Sequence, residues 1–301
     1  MSGETKATKE QSEWEKNFSL TPNLDLNFVI GANRGYPVGL HGRYDNELKR
    51  RVAAALLSYL LGGRSIDYVY KKHLDDHNYD LDRSIGSQID ELLEDIISRS
   101  RSNLLELTDR KIARIGEQAA DGTLLRALPT LTSSKVLANR GLLFETLCLV
   151  RFILEQLAWA CGAEPMDDEN ALLDLRVKSC VKKLDSIYPT AGRVYGFLSD
   201  FAHWHPKHHH LFLFVEGSQW GYVTASSEHR AIALCYVLLA ADMHLALIEA
   251  IHHDSVKEYV VLSESIKGQF KKNRSTRKLV EKAYQAFPKS SQLKQALSFF
   301  P

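Results

Sequence analysis

The chain has 301 residues, 45% hydrophobic and 25% charged, the proportions of an ordinary globular protein. Its 38 Lys and Arg stand against 37 Asp and Glu, for a formal net charge of +1. No global field therefore draws it to nucleic acid or to a membrane surface, and any such contact needs a local patch. Its length allows one large domain, or a domain with appendages.

Taken in order, the N-terminus (MSGETKATKEQSEWEK) is polar and lacks the apolar core of a secretory signal, which predicts a cytoplasmic protein. Residues 1–43 predict a flexible tail and then an irregular wrapping segment, with two prolines and four glycines between 19 and 43 and a short strand at 27–30. Residues 44–61 predict a helix capped by Asp45 and ended by Gly62 and Gly63. Residues 73–82 gather His73, Asp75, Asp76, His77, Asp80 and Asp82. That set either holds a cation or forms a solvated acidic loop, and it departs from the EF-hand spacing.

Residues 84–118 repeat Ile85, Ile89, Leu92, Leu93, Ile96 and Ile97 at threes and fours, an amphipathic helix expected to kink at RSRSN, 99–103. Arg99, Arg101, Arg110, Lys111 and Arg114 make this the most basic helical surface, either an RNA contact or a wet face. Gly122 and Pro129 predict a connector over 121–132.

Residues 134–162 (SKVLANRGLLFETLCLVRFILEQLAWACG) form the longest nearly unbroken apolar run. They predict a buried central helix, capped by Ser133 or Ser134 and ended by Gly162. Arg140, Glu145, Arg151 and Glu155 lie inside it. Four ionised side chains at membrane depth cost roughly 2.5–3.5 kcal/mol each, which favours a core helix over a membrane span.

A polar turn at 163–169 and a helix at 171–187 follow. Pro189 and Gly192 break that helix, and 194–204 predicts a short one. Gly217 and Ser218, between LFLFVE and QWGYVT, signal a β-hairpin of type II′ near residues 211–224. Residues 228–253 form a second very apolar helix with Asp242, Glu249 and His253 along one edge. Helix is expected to continue over 256–267, ahead of a basic stretch at 268–277, a last helix at 276–286 and a final turn at 291–299. The expected fold is mainly α: a helical bundle over 44–267 around a long buried helix, with one hairpin and a basic C-terminal helical appendage at 268–301.

The four cysteines, Cys148, Cys161, Cys180 and Cys235, form no C-x-x-C pair and fit buried thiols of a reducing compartment. His203, His205, His208, His209 and His210 crowd one short stretch. Of these, His205, His208 and His210 are the candidate ligands for zinc or another transition metal, with Asp242 or Glu249 as oxygen donors. No H-E-x-x-H, no G-x-S-x-G elbow and no phosphate-cradling glycine loop is present.

RGLLFE at 140–145 lies in the apolar run, and YGFLSDFAH at 195–203 follows. This pairing resembles an all-helical bacterial family whose hallmark is an R-S-L-x-E helix with a later L-S-x-x-x-H helix. Its layout is similar to HEPN-type bundles, many of which are RNases of toxin and phage-defence systems. Here the glutamate follows Arg140 by five positions rather than four, and Arg193 precedes His203 by ten, outside the R-x(4–6)-H spacing of HEPN RNases. The resemblance implies a cytoplasmic ribonuclease whose site is completed in a homodimer.

The chemistry also stands on the residues themselves. Metal-independent RNA cleavage needs a base for the 2′-hydroxyl proton, for which His203 is suited. It needs a cation on the phosphate, for which Arg140 offers a planar fork. Ser199 and Asp200 are placed to orient the imidazole. The alternative is a buried polar network of Arg140, Glu145, Asp200 and His203 that pins two helices in a non-catalytic interaction module. A third alternative is a metal-dependent hydrolase using the histidine loop.

Overall fold

A computed structural model describes residues 28–31 and 34–37, positions 51, 54, 55 and 58, and residues 65–301 without 74–75, 107–113, 217–218, 224–225 and 266–267. The protein is mainly α-helical over these residues. An antiparallel ribbon of β1 (Phe28–Gly31) and β2 (Arg34–Pro37) precedes the helices. Helices α1 (Ile66–His73), α2 (Asp76–Glu106), α3 (Ile115–Asn139) and α4 (Leu143–Ala163) follow. Next come the short α5 (Glu169–Leu173), α6 (Val177–Ile187), α7 (Ala191–Ala202) and a 3-10 turn, Pro206–Leu211. The expected hairpin pairs β3 (Leu213–Glu216) with β4 (Gln219–Tyr222). Then come α8 (Ser227–Ile251), α9 (Ser275–Ala286) and α10 (Ser291–Ser298). Positions 51, 54, 55 and 58 of the expected helix at 44–61 are helical; the rest of that stretch, the side chains of the 73–82 cluster and the hairpin turn at 217–218 lie outside the described residues.

Helix α8 is the axis of the bundle. Its residues 232–249 are all buried, and it packs against α2, α3, α4, α9 and α10. Helix α4 packs against α3, α6, α7 and α8. Both α4 and residues Glu228–Ile251 are long and apolar enough to cross a membrane, with mean hydropathies of 1.3 and 2.1. Protein covers 94% of the second stretch, as in the core helix of a bundle, against 56% of the first.

The expected 134–162 helix is broken in two. The Gly141 N–H donates to the Ala138 carbonyl at 2.9 Å and the Leu142 N–H to the Leu137 carbonyl at 3.2 Å, with Gly141 at φ 70°. This is a helix-terminating Schellman turn, and glycine takes its left-handed position without a Cβ clash. Gly162 does not end α4. It lies inside the helix, where an added Cβ would run into Cys180 Sγ of α6, so it permits close helix approach.

Helix α3 runs straight through Pro129, in place of the expected connector. Pro129 faces solvent, where water can take the carbonyl it leaves free, while Leu124, Ala127, Leu128 and Leu131 bury the opposite side. Helix α2 continues through 99–103 without a split, and Ser100 within it is fully buried.

Residues 256–265 are not helical. The Glu249 carboxylate accepts the backbone N–H groups of Val260, Val261 and Leu262 at 2.7, 3.1 and 2.6 Å, satisfying donors that a helix would have turned inward. The C-terminal helices are part of the bundle: Leu279, Val280, Ala283, Leu293, Ala296 and Phe299 lie in one core with α8. Asp242 of α8, wholly buried, accepts from the Tyr188 hydroxyl (2.9 Å), Thr276 Oγ1 (2.7 Å) and Arg274 Nη1 (2.6 Å). Burial pushes its carboxyl up, and the Arg274 charge opposes that.

Candidate functional site: the groove between α4 and α7

Positions 144, 148, 151 and 155 share one face of α4, because steps of three and four return a side chain to the same side. Positions 195, 199 and 203 do the same on α7 and its cap. At one end of the contact the Phe144 ring meets Phe201 and Trp204, with centroids 5.5 and 5.0 Å away. At the other end Arg151 Nη2 donates to the Tyr195 hydroxyl at 3.3 Å and pairs with Glu155 at 3.1 Å. The Tyr195 hydroxyl donates in turn to Glu155 at 3.3 Å. The helices are therefore antiparallel here, with exposed Cys148 and half-buried Ser199 between the ends. The Cys148 thiol, partly desolvated and beside Glu145, is held above its ordinary range and is no activated nucleophile.

His203 is exposed at the cap of α7, about two turns or ~11 Å of helix from Tyr195. His203 and the Arg151 guanidinium thus belong to the same pair of packed helices, toward opposite ends of their contact, and the guanidinium held against α7 is that of Arg151 rather than Arg140. Arg140 is exposed in the turn between α3 and α4, and Glu145 is exposed in the first turn of α4. No hydrogen bond or ion pair among the described residues joins Arg140, Glu145, Asp200 and His203 to one another, so they form no shared buried network. Lys207 pairs with Asp200 and by that hydrogen bond holds its carboxyl below the usual range. Ser199 Oγ donates to the Tyr195 carbonyl at 2.8 Å. Neither orients His203. The Arg151 and Glu155 pair was visible at its i, i+4 spacing; its cover by Tyr195 of α7, a tertiary contact, was not.

The histidines serve the turn rather than one centre. His208 is buried with its ring stacked on Phe201 at 3.8 Å, and burial, aided by the Lys207 charge, lowers its pKa to about 4. His205 Nδ1 accepts from the Lys207 N–H at 3.3 Å, and His210 Nδ1 lies 2.8 Å from the Lys207 carbonyl, to which it donates. Among the described residues no group of three or more His, Cys, Asp or Glu is arranged to hold a metal ion. Of the basic residues at 99–114, Arg99 on α2 and Arg114 at the start of α3 are paired with carboxylates. Arg99 pairs with Asp95 and Glu258 at 2.8 and 2.6 Å, and Arg114 with Glu117 and Glu164 at 2.7 and 2.6 Å; residues 110 and 111 lie outside the described residues.

Sequence patterning missed Trp204. It is the one non-glycine residue with positive φ (54°) among the described residues. Its N–H donates to the Phe201 carbonyl at 3.0 Å, and the His205 N–H to the Asp200 carbonyl at 2.8 Å. This is the same Schellman turn that Gly141 closes, with tryptophan in the glycine position, at a cost of about 1–2 kcal/mol. The Trp204 ring stacks on Phe212 (5.0 Å, 25°), and Phe212 on Tyr222 (6.3 Å, 12°).

No protein-family model, curated protein or solved structure matches the chain.

Proposed function

We propose that the protein acts on RNA at the α4–α7 groove, as a cytoplasmic ribonuclease of the toxin or defence type that needs no metal. The observation that carries this is an exposed His203 imidazole at the end of α7, with the Arg151 guanidinium of α4 held against the same helix by Tyr195. RNA cleavage through the 2′-hydroxyl needs a proton acceptor and a cation on the phosphate. His203 is the acid or base. Arg151, steadied by Tyr195 and Glu155, contacts phosphate, with Arg140 in the turn leading to α4 as a further contact. Induced expression in a bacterial host is expected to arrest growth, and His203→Ala to relieve the arrest at equal soluble yield. Equal toxicity of that variant removes the proposal.

A non-catalytic interaction module at the same groove is a second reading. The engagement of Asp200 by Lys207 and of Ser199 by the Tyr195 carbonyl favours it, since a general base is ordinarily held by an orienting acceptor. Purified protein that binds RNA and leaves it intact selects this reading. Elemental analysis of untagged protein tests the metal-dependent hydrolase, against which the buried, stacked position of His208 counts.

A further inference from the structure

Trp204 occupies a backbone position that disfavours it. Gly141 fills the equivalent place in the α3–α4 turn at no steric cost, and the α7 turn would accept glycine equally well. Trp204 packs on Phe144 and Phe212 yet remains 53% exposed, more than a residue serving the core alone would be. At the far end of the same stack Tyr222 is 56% exposed, and half-buried Phe212 lies between them. A column of three near-parallel rings with open surface at both ends is a template for further flat rings. Leu213, opposite Tyr222 in the hairpin register, extends the apolar edge. Around it stand exposed His203, His205, Lys207 and His210, and residues 203–213 contain no acidic side chain.

We infer that Trp204, Phe212 and Tyr222 form a nucleobase-stacking platform beside the groove, so that the RNA taken there is single-stranded. The inference rests on the RNA reading and names its substrate class. Unpaired bases stack on aromatic side chains, whereas paired bases keep both faces within the duplex. The exposed imidazoles, and Lys207 beside its partner Asp200, are hydrogen-bond donors that suit a phosphate backbone running past the platform.

The test uses a fluorescein-labelled, unstructured 2′-O-methyl RNA of about twelve nucleotides, which cannot be cleaved through its 2′ oxygen, alone and annealed to its complement. The full chain is expected to bind the single strand at least about tenfold more tightly than the duplex. Trp204→Gly is expected to weaken single-strand binding roughly five- to hundredfold, the range for losing one stacked base. Its Tm should not fall, because glycine relieves the left-handed backbone; Trp204→Phe should keep most of the affinity. A Trp204→Gly variant that binds like the parent overturns the platform. Equal binding of duplex and single strand also overturns it and leaves RNA action at the groove standing. Folded parent protein that binds neither form defeats both proposals.

Discussion

The Arg151 guanidinium lies over the Tyr195 ring, 5.4 Å from its centroid, and one of its nitrogens reaches both the Tyr195 hydroxyl and the Glu155 carboxylate. One cation is thereby held from two helices that are distant in sequence. Holding the side chain in advance lowers the ordering cost of meeting a phosphate. Arg151→Ala is expected to weaken RNA binding and to reduce the slope of log affinity against log salt by about one, the signature of one lost phosphate contact. Stability should change by less than about 1 kcal/mol, since the ion pair is partly open to solvent. Titrations at several salt concentrations read both effects; an unchanged slope removes Arg151 from the site.

Asp242 is the anchor of the C-terminal helices, and Arg274 beside it is also buried. Asp242→Ala leaves that guanidinium without its carboxylate, which costs about 3–5 kcal/mol. The urea midpoint should fall accordingly, and hydrogen exchange should quicken first over residues 275–298. Unaltered exchange there would show that the apolar contacts alone suffice.

His244 is wholly buried, its Nε2 donating to the Leu124 carbonyl at 2.9 Å and its Nδ1 facing Ser100 Oγ at 3.3 Å. Burial lowers its pKa from 6.5 to about 4. The unfolded chain therefore binds this proton more readily, and stability is lost as pH falls from 6.5 toward 4. His244 alone should remove about 2 kcal/mol between pH 7 and pH 5, with His208 acting in the same direction. The raised carboxyls of Asp242 and Glu249 act oppositely at the acid end, each holding its proton in the fold. Urea midpoints across this range check the sign. His244→Gln keeps a donor for Leu124 without a titrating ring, and it should flatten the profile.

Gly162→Ala drives a methyl group into Cys180 Sγ and should cost about 1–3 kcal/mol by overpacking. Pairing it with Cys180→Ala should recover part of that loss, a coupling measurable by a double-mutant cycle. Strict additivity would mean that α4 and α6 can separate at that point without strain.

Helix-scale features were legible in the sequence because they depend on apolar periodicity: α8, α9 and the β3–β4 hairpin fall where residue pattern places them, and the final turn expected at 291–299 is the helix α10. Local breakers misled where tertiary context overrode them. Pro129 sits on a solvent face that tolerates it and Gly162 serves packing, whereas Gly141 ends α3 and Pro189 separates α6 from α7 as expected. The Glu249 carboxylate replaced helix at 260–262 through contacts that no local pattern encodes. His203 was legible as an exposed candidate. Arg151 and Trp204 emerged only once α7 was laid along α4 and the backbone of its last turn was known.

Incubating the purified protein with unstructured RNA in excess chelator, and analysing the new ends, tests the central claim most directly. The account predicts strand breaks carrying 2′,3′-cyclic phosphates, abolished by His203→Ala with Tm unchanged and diminished by Arg151→Ala. Intact RNA, or breaks that persist in the folded His203→Ala protein, would contradict it.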